Sequence, residues 1–290
     1  MLDNQITHYD YIGIDIGGTN TRIGLFSSLE TPRFELITKF PTSQSYQQQL
    51  QTLITSIGNL GMPSLAGVGV SIAGRIVKDG RSVIIAPNLT SYVDQPFAQD
   101  LADALNCPVR LAHDPVCGLL AEKKFGALQS FERCAYLTVS TGTGAAIHFS
   151  KGNTHLTSSI EIGHQILDGN PRICLCGQVG CLETFTGGRQ LTLRYGHTPA
   201  EIADPAFWET FCNKLALGLV NLATLTRVDG VAVGGAIVLN RPHLLTQLQQ
   251  QVNAMLKWAS LELRIAVLGE DAPLIGAATL IDTPEDTILH

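Results

Sequence analysis

Twice along this chain an apolar strand runs into a glycine-rich turn and out again into a second strand, and no other feature restricts the fold as much. The first unit is Tyr11 to Ile16, Gly17-Gly18, then Thr21 to Phe26; the second is Cys134 to Val139, Ser140-Thr141-Gly142-Thr143-Gly144, then Ala145 to Phe149. The opening strand of the first unit is almost wholly apolar, which reads as burial on both faces. The second unit repeats the first, so the chain reads as two duplicated α/β halves.

Helical and strand patterns alternate around these hairpins. Tyr46, Leu50, Ile54 and Ile57 recur with helical spacing behind Thr42 or Ser43 as a cap, and Gly67 to Ile72 is a strand. Pro96 opens a helix carrying Phe97, Leu101, Ala104 and Leu105 on one face; Pro108 to Ala112 is a strand; Pro115 to Phe125 is a helix closed by Gly126. After the second hairpin come a nearly all-apolar helix between Lys214 and Arg227, a strand Val231 to Val233 ending in Gly234-Gly235, and an amphipathic helix marked by Leu244, Leu248, Val252 and Met255. A strand Ile265 to Leu268 and a helix Pro273 to Ile281 complete the series. The expected architecture is α/β with two lobes: residues 1–112 joined by a C-terminal helix at about 273–290, and residues 113–272.

Composition narrows the classes of function. Of 290 residues 45% are hydrophobic and only 15% charged, which excludes a disordered chain. Lys and Arg total 19 against 25 Asp and Glu, a net charge of −6 without the basic footprint of a nucleic-acid or anionic-membrane binder. An anionic substrate then needs local help from backbone amides or a metal. No apolar run approaches the ~18 residues of a membrane span, and the first ten residues lack the basic and apolar regions of a leader, so a cytoplasmic protein is expected. Seven cysteines, three of them crowded at Cys174, Cys176 and Cys181, suit a metal site in a reducing compartment better than a disulfide framework.

Four places carry candidate chemistry. Asp15 lies inside a buried strand two residues before the Gly17-Gly18 turn, and Thr19 adds a hydroxyl. Either the glycines serve a tight hairpin, or they let backbone N–H groups converge on phosphate oxygens while Asp15 holds Mg²⁺ directly or through water. Asp114 follows a strand and precedes Pro115, which makes it a helix N-cap, a general base at the carboxyl end of a strand, or both. His113 is either a substrate hydrogen-bond partner or a strand-end histidine. His164, Cys174, Cys176 and Cys181 place one nitrogen and three thiolates within eighteen residues, a closed tetrahedral set suited to structural zinc. Glu161 and Glu183 flank these ligands as solvated acids or as hydroxyl acceptors.

Taken together these strings resemble the ROK family of sugar kinases and sugar-responsive repressors, within the hexokinase/actin-like ATPase superfamily. The resemblance is collinear from about Gly13 to Leu280 and rests on Gly13 to Thr19, Gly67 to Gly74, Pro87-Asn88-Leu89, Asp114, Thr141 to Gly144, Glu161 to His164, Cys174 to Glu183, Val233 to Gly235 and Leu274 to Ala278. It implies a two-lobed actin-like (duplicated ribonuclease H-like) fold with a cleft, and an ATP-dependent kinase acting on the 6-hydroxyl of a hexose or N-acetylhexosamine. In that picture Asp114 is the base. Asn88, His113, Glu161, His164 and Glu183 hold the sugar; Asp15, Gly17, Gly18, Thr19, Asn20, Thr141, Gly142 and Thr143 grip phosphates and Mg²⁺; Gly234 and Gly235 face the nucleoside. His164, Cys174, Cys176 and Cys181 hold Zn²⁺, and a homodimer is expected.

The sequence departs from the family pattern near the sugar and the nucleotide. His113 stands in place of an asparagine, Ala73 of a proline and Tyr92 of a tryptophan, while Ala145, Ala146 and Ala236 stand in place of glycines. Family repressors carry an N-terminal winged helix-turn-helix, whereas twelve residues precede Gly13 here, so DNA binding is not expected. The alternatives to a kinase are a non-catalytic sugar sensor on the same scaffold and a zinc-binding interaction module, which leaves both glycine turns unexplained.

Overall fold

The computed structural model describes residues 9–62, 64–77, 79–86 and 89–290. The chain divides into two compact units, Met1–Ala121 with Asp271–His290, and Glu122–Glu270.

In the first unit, β1 (Tyr11–Ile16), β2 (Asn20–Phe26) and β3 (Glu35–Pro41) form an antiparallel meander, and β4 (Gly67–Ile72) and β7 (Val109–His113) extend it in parallel, in the order β3-β2-β1-β4-β7. A short hairpin, β5 (Arg75–Ile76) and β6 (Val83–Ile85), stands apart from this sheet. One face of the sheet sends Ile12, Ile14, Ile16, Val68, Val70 and Ile72 into a core with Leu53 and Ile57 of α1 (Tyr46–Gly58) and Phe97 and Leu101 of α2 (Phe97–Leu105). The N-cap of α1 is Ser45, whose hydroxyl accepts from Gln48 N–H, and not Thr42 or Ser43. Thr42 is committed elsewhere, as described below.

On the opposite face two glycines stand under a helix. Gly13 and Gly69 form a floor on which α9 (Ala272–Thr279) rests its backbone: a Cβ on Gly13 would lie 2.6 Å from the Leu274 carbonyl oxygen, and one on Gly69 would overlap the Ala277 carbonyl. Gly276 on α9 in turn meets the Cys117 backbone of α3 (Asp114–Phe125). Helix and sheet approach at backbone distance because Gly13 and Gly69 carry no Cβ, and α9 and α3 do so at Gly276.

The second unit repeats the topology. Strands β8 (Arg133–Val139), β9 (Thr143–Lys151) and β10 (Thr154–Ile160) form the meander, and β11 (Gly230–Gly234) and β12 (Glu262–Ile265) add in parallel beside β8, giving β12-β11-β8-β9-β10. The short helices α4 (Glu183–Thr186), α5 (Gly188–Tyr195) and α7 (Ala236–Leu239) line its loops. The long α6 (Pro205–Thr226) and α8 (Leu244–Met255) cover one face, burying Phe211, Leu215, Leu219, Leu248 and Val252 against Leu137, Val139, Val231 and Val233. The last strand differs from the expected Ile265 to Leu268. Leu263 is the residue that pairs with Val231 and is buried, whereas Val267 is largely exposed beyond the strand. Glu122, fully buried in α3, is satisfied by N–H donors from Ala127 at 2.7 Å and Leu268 at 2.8 Å. Among the described residues no helix is long and apolar enough to cross a membrane.

Candidate functional site

The first glycine turn is held from behind by a chain of hydroxyls. Gln49 donates its side-chain amide to Thr21 Oγ1 (2.7 Å), Thr21 and Thr42 share a 2.9 Å contact, and Thr42 donates to the Gly17 carbonyl at 2.8 Å. The Thr42 amide also donates to the Thr19 carbonyl, and Gly17 N–H to the Asn20 carbonyl. The carbonyls of Gly17, Thr19 and Asn20 are thus engaged by the scaffold, while the residues Thr19 and Asn20 stay exposed. Gly17 has an ordinary φ, and a Cβ there would come no nearer than 3.2 Å to the Asn20 carbonyl. That is tighter than most Cβ contacts, so a side chain at Gly17 would press on the carbonyl that its own N–H engages.

Asp15, on β1, is opposite Arg22 in the β1–β2 register. Arg22 donates to Asp15 Oδ2 from Nη2 at 2.9 Å and from Nε at 3.3 Å, and to Asp271 Oδ1 from Nη1 at 2.8 Å. Ser71 on β4 donates to Asp15 Oδ1 at 3.0 Å. Burial raises the Asp15 carboxyl above the usual carboxylate range; Arg22 and the Ser71 hydroxyl pull it back, and Asp271 adds to the rise. Both carboxylate oxygens of Asp15 thus accept hydrogen bonds within the unit.

Asp114 begins α3, with Pro115 second in the helix, at the carboxyl end of β7. Its Oδ1 lies 3.1 Å from His113 Nε2. A carboxylate is favoured at a helix amino end, and proline tolerates the second position because its missing N–H would have no helical partner. Asn88 lies outside the described residues.

In the second unit the Ser140–Gly144 turn is tied to α4 and α5. Glu183 Oε2 accepts the Thr143 amide at 2.8 Å, Thr143 and Thr186 share a 2.8 Å hydroxyl contact, and the amides of Gly188 and Arg189 donate to the carbonyls of Ser140 and Thr141 at 2.8 and 2.9 Å. The amide and hydroxyl of Thr143 are therefore both engaged inside the unit, and Thr141 is the exposed residue of the turn. Gly235, at the end of β11, has φ +85° and would drive a Cβ into the backbone of Val139, so only glycine fits there.

His164 ends a 3₁₀ turn, Ile162–His164, whose N-cap is Glu161. With Cys174, Cys176 and Cys181 it forms a group whose ligand atoms all lie within 4.8 Å of one another. Cys176 and Cys181 sulfurs are 3.7 Å apart, and Cys174 Sγ is 3.8 Å from His164 Nδ1. A tetrahedral ion with ordinary Zn–S and Zn–N bonds requires edges of about 3.6–3.8 Å. Gln190 and Gln178 aim side-chain N–H groups at the sulfurs of Cys174 (3.1 Å) and Cys181 (3.3 Å), partners suited to metal-bound thiolates. Gly177 and Gly180, at φ +92° and +96°, turn the loop. These residues fit a zinc ion.

The residues that sequence reasoning missed are the supports: Arg22, Ser71 and Asp271 around Asp15, Thr186 behind Thr143, and the two glutamines on the sulfurs. Arg22 alone had a local signal, since a tight hairpin sets it opposite Asp15.

Residues 11–283 match the family model described as ROK family. An N-acetyl-D-glucosamine kinase of Shigella sonnei is 28% identical over 275 residues, covering 83% of this chain and 88% of the kinase. The xylose repressor of Bacillus subtilis is 25% identical over 240 residues, covering 75% of this chain; the chain spans only 61% of the repressor's length. Among solved structures, a ROK family glucokinase from Streptomyces griseus in complex with glucose and AMPPNP superposes with a TM-score of 0.78 at 23% identity, covering 93% of this chain and 98% of the other.

Proposed function

This chain belongs to the ROK family and has its actin-like ATPase fold, and from that premise we propose that it is an ATP-dependent sugar kinase, moving the γ-phosphoryl group of ATP to the 6-hydroxyl of a hexose or an N-acetylhexosamine. The observation that carries the reading is Asp114, a carboxylate at the joint between the end of β7 and the start of α3, held beside His113 at 3.1 Å. Phosphoryl transfer asks a protein mainly for alignment and charge stabilisation, plus a group to take the proton of the attacking hydroxyl. Asp114 takes that proton as the sugar oxygen bonds to the γ-phosphorus and the bond to ADP breaks.

Other roles follow the family assignment. Glu161, His164 and Glu183, with Asn88 and His113, hold sugar hydroxyls; the Gly17–Asn20 and Thr141–Thr143 turns meet the phosphates; Gly234 and Gly235 meet the nucleoside. The exposure of Thr19 and Asn20 supports the phosphate role of the first turn. Mg²⁺ accompanies ATP as the counter-ion of its phosphates. Zinc, held by His164 Nδ1 and the three sulfurs, supplies no chemistry but fixes the loop that presents Glu161, His164 and Glu183.

The likeness to the xylose repressor supports a second reading, sugar binding without transfer. Sugar-dependent ADP release from Mg-ATP, measured over a panel of hexoses and N-acetylhexosamines with Asp114→Asn alongside, separates the two. Turnover on one sugar that the variant loses supports the kinase and names its substrate. No turnover, with a sugar still raising the melting temperature, shifts the reading to sugar binding alone.

A further inference from the structure

The surroundings of Asp15 decide how it meets a cation. In the β1–β2 register Asp15 and Arg22 are directly opposed, and Asp271 stands at the head of α9, so one guanidinium serves two carboxylates brought together from the hairpin and from the end of the chain. The contacts are 2.9 and 3.3 Å to Asp15 Oδ2 and 2.8 Å to Asp271 Oδ1, with the Ser71 hydroxyl at 3.0 Å on Asp15 Oδ1. The side chains of Arg22 and Asp15 are only 14% and 15% exposed, so the pair is weakly screened by solvent. A direct Mg²⁺ bond needs a carboxylate oxygen at about 2.0–2.1 Å, and here it would place the ion a few ångströms from a guanidinium that cannot lose its charge.

We infer that Arg22 is the standing counter-ion of Asp15, which keeps divalent cations off this carboxylate and leaves any cation arriving with a nucleotide to meet it through water. Mg²⁺ dehydrates reluctantly and keeps several waters, so a water-bridged contact suits its chemistry. Arginine suits the position because its fork spans two carboxylates at once, which a lysine ammonium does not do with fixed geometry. The nucleotide clause rests on the kinase reading; the exclusion of metal by Arg22 does not.

Mn²⁺ is the probe, its free concentration read by electron paramagnetic resonance on the full chain without nucleotide. Wild type and Asp15→Asn show the same weak surface binding, whereas Arg22→Met, with a cooperative melt to establish folding, gains one site about tenfold tighter or better that Arg22→Met/Asp15→Asn loses. A wild-type Mn²⁺ site that Asp15→Asn abolishes overturns the inference, as does a folded Arg22→Met that gains no site. Should Arg22→Met fail to fold, the wild-type comparison is joined by binding of the exchange-inert tetraamminecobalt(III) complex of ATP, whose metal cannot take a protein ligand. Affinity within about tenfold of Mg-ATP supports water-mediated contact, and a loss of about a hundredfold overturns it. If neither nucleotide complex binds, the kinase reading falls, and the Mn²⁺ comparison of wild type with Asp15→Asn still decides the role of Arg22.

Discussion

The carboxylate of Glu183 accepts the backbone N–H of Thr143 at 2.8 Å, joining the head of α4 to a turn forty residues earlier in the chain. Gly142 is small enough to admit it: a Cβ there would lie 2.8 Å from Glu183 Oε2. One acidic residue thus shapes the Ser140–Gly144 turn as well as following the Cys174–Cys181 loop.

Glu183→Ala leaves the Thr143 amide without its acceptor, a loss of about 1–3 kcal/mol. The variant melts lower than wild type and, on the kinase reading, raises KM for ATP by about tenfold. Glu183→Gln keeps a carbonyl acceptor and loses less of both. Melting curves and ATP titrations check this; identical behaviour of the two variants contradicts it.

The glycine floor under α9 yields a paired prediction. Gly69→Ala forces a methyl into the Ala277 carbonyl and destabilises the chain by about 3 kcal/mol or more, since neither the sheet nor the helix backbone can yield. Gly58→Ala, at the end of α1 with open space around its Cβ, stabilises by up to about 1 kcal/mol. Denaturant midpoints measure both, and equal midpoints for the two variants contradict the packing described.

Much of the fold was legible because the buried strands are apolar runs and the long helices keep their spacing. The strands β3 and β10 were not, because they carry too little buried surface to show a pattern: β3 has no fully buried residue, and β10, Thr-His-Leu-Thr-Ser-Ser-Ile, buries only Thr157 fully. The start of α6 was hidden for another reason. Its cap is Asp204 followed by Pro205, well ahead of the continuous apolar stretch that drew attention to Lys214–Arg227. At the site, the zinc quartet was legible because its ligands sit close together in sequence and their chemistry is distinctive. The hydrogen bonds from Ser71 to Asp15 and from Thr143 to Glu183 span 56 and 40 residues and leave no local mark. Thr42, a plausible helix cap by spacing, is diverted to the Gly17 carbonyl because β3 ends beside the turn.

Metal content is the third test. Protein made with zinc available carries one equivalent by elemental analysis, and Cys176→Ser or a strong chelator removes it. Loss of a structural ion lowers the melting temperature by about 10 °C or more. A metal-free preparation with an unchanged melt and unchanged sugar affinity contradicts a structural zinc.

Acid sensitivity has an identifiable source in the second unit. His148 is buried on β9, its Nδ1 2.8 Å from Thr157 Oγ1 and its Nε2 without a hydrogen-bond partner among the described residues, and burial, with Lys123 and His155 nearby, pushes its pKa down to about 4. The unfolded chain binds that proton near pH 6.5 and the folded chain does not, so the contribution is present above 6.5 and is lost as pH falls from there toward 4. Stability plotted against pH falls across that window with a slope of up to one proton, and His148→Gln removes that part of the slope. A wild-type curve that is flat across the window, or one that the substitution leaves unchanged, contradicts the assignment.

Transfer of the γ-phosphoryl group to a sugar 6-hydroxyl with Asp114 as base is tested by phosphorus NMR of the reaction of Mg-ATP with an active sugar, beside its 6-deoxy analogue and Asp114→Asn. A sugar 6-phosphate resonance is expected with wild type and the intact sugar, and none with the analogue or the variant. A sugar phosphate formed undiminished by Asp114→Asn, or formed on the 6-deoxy sugar, contradicts it.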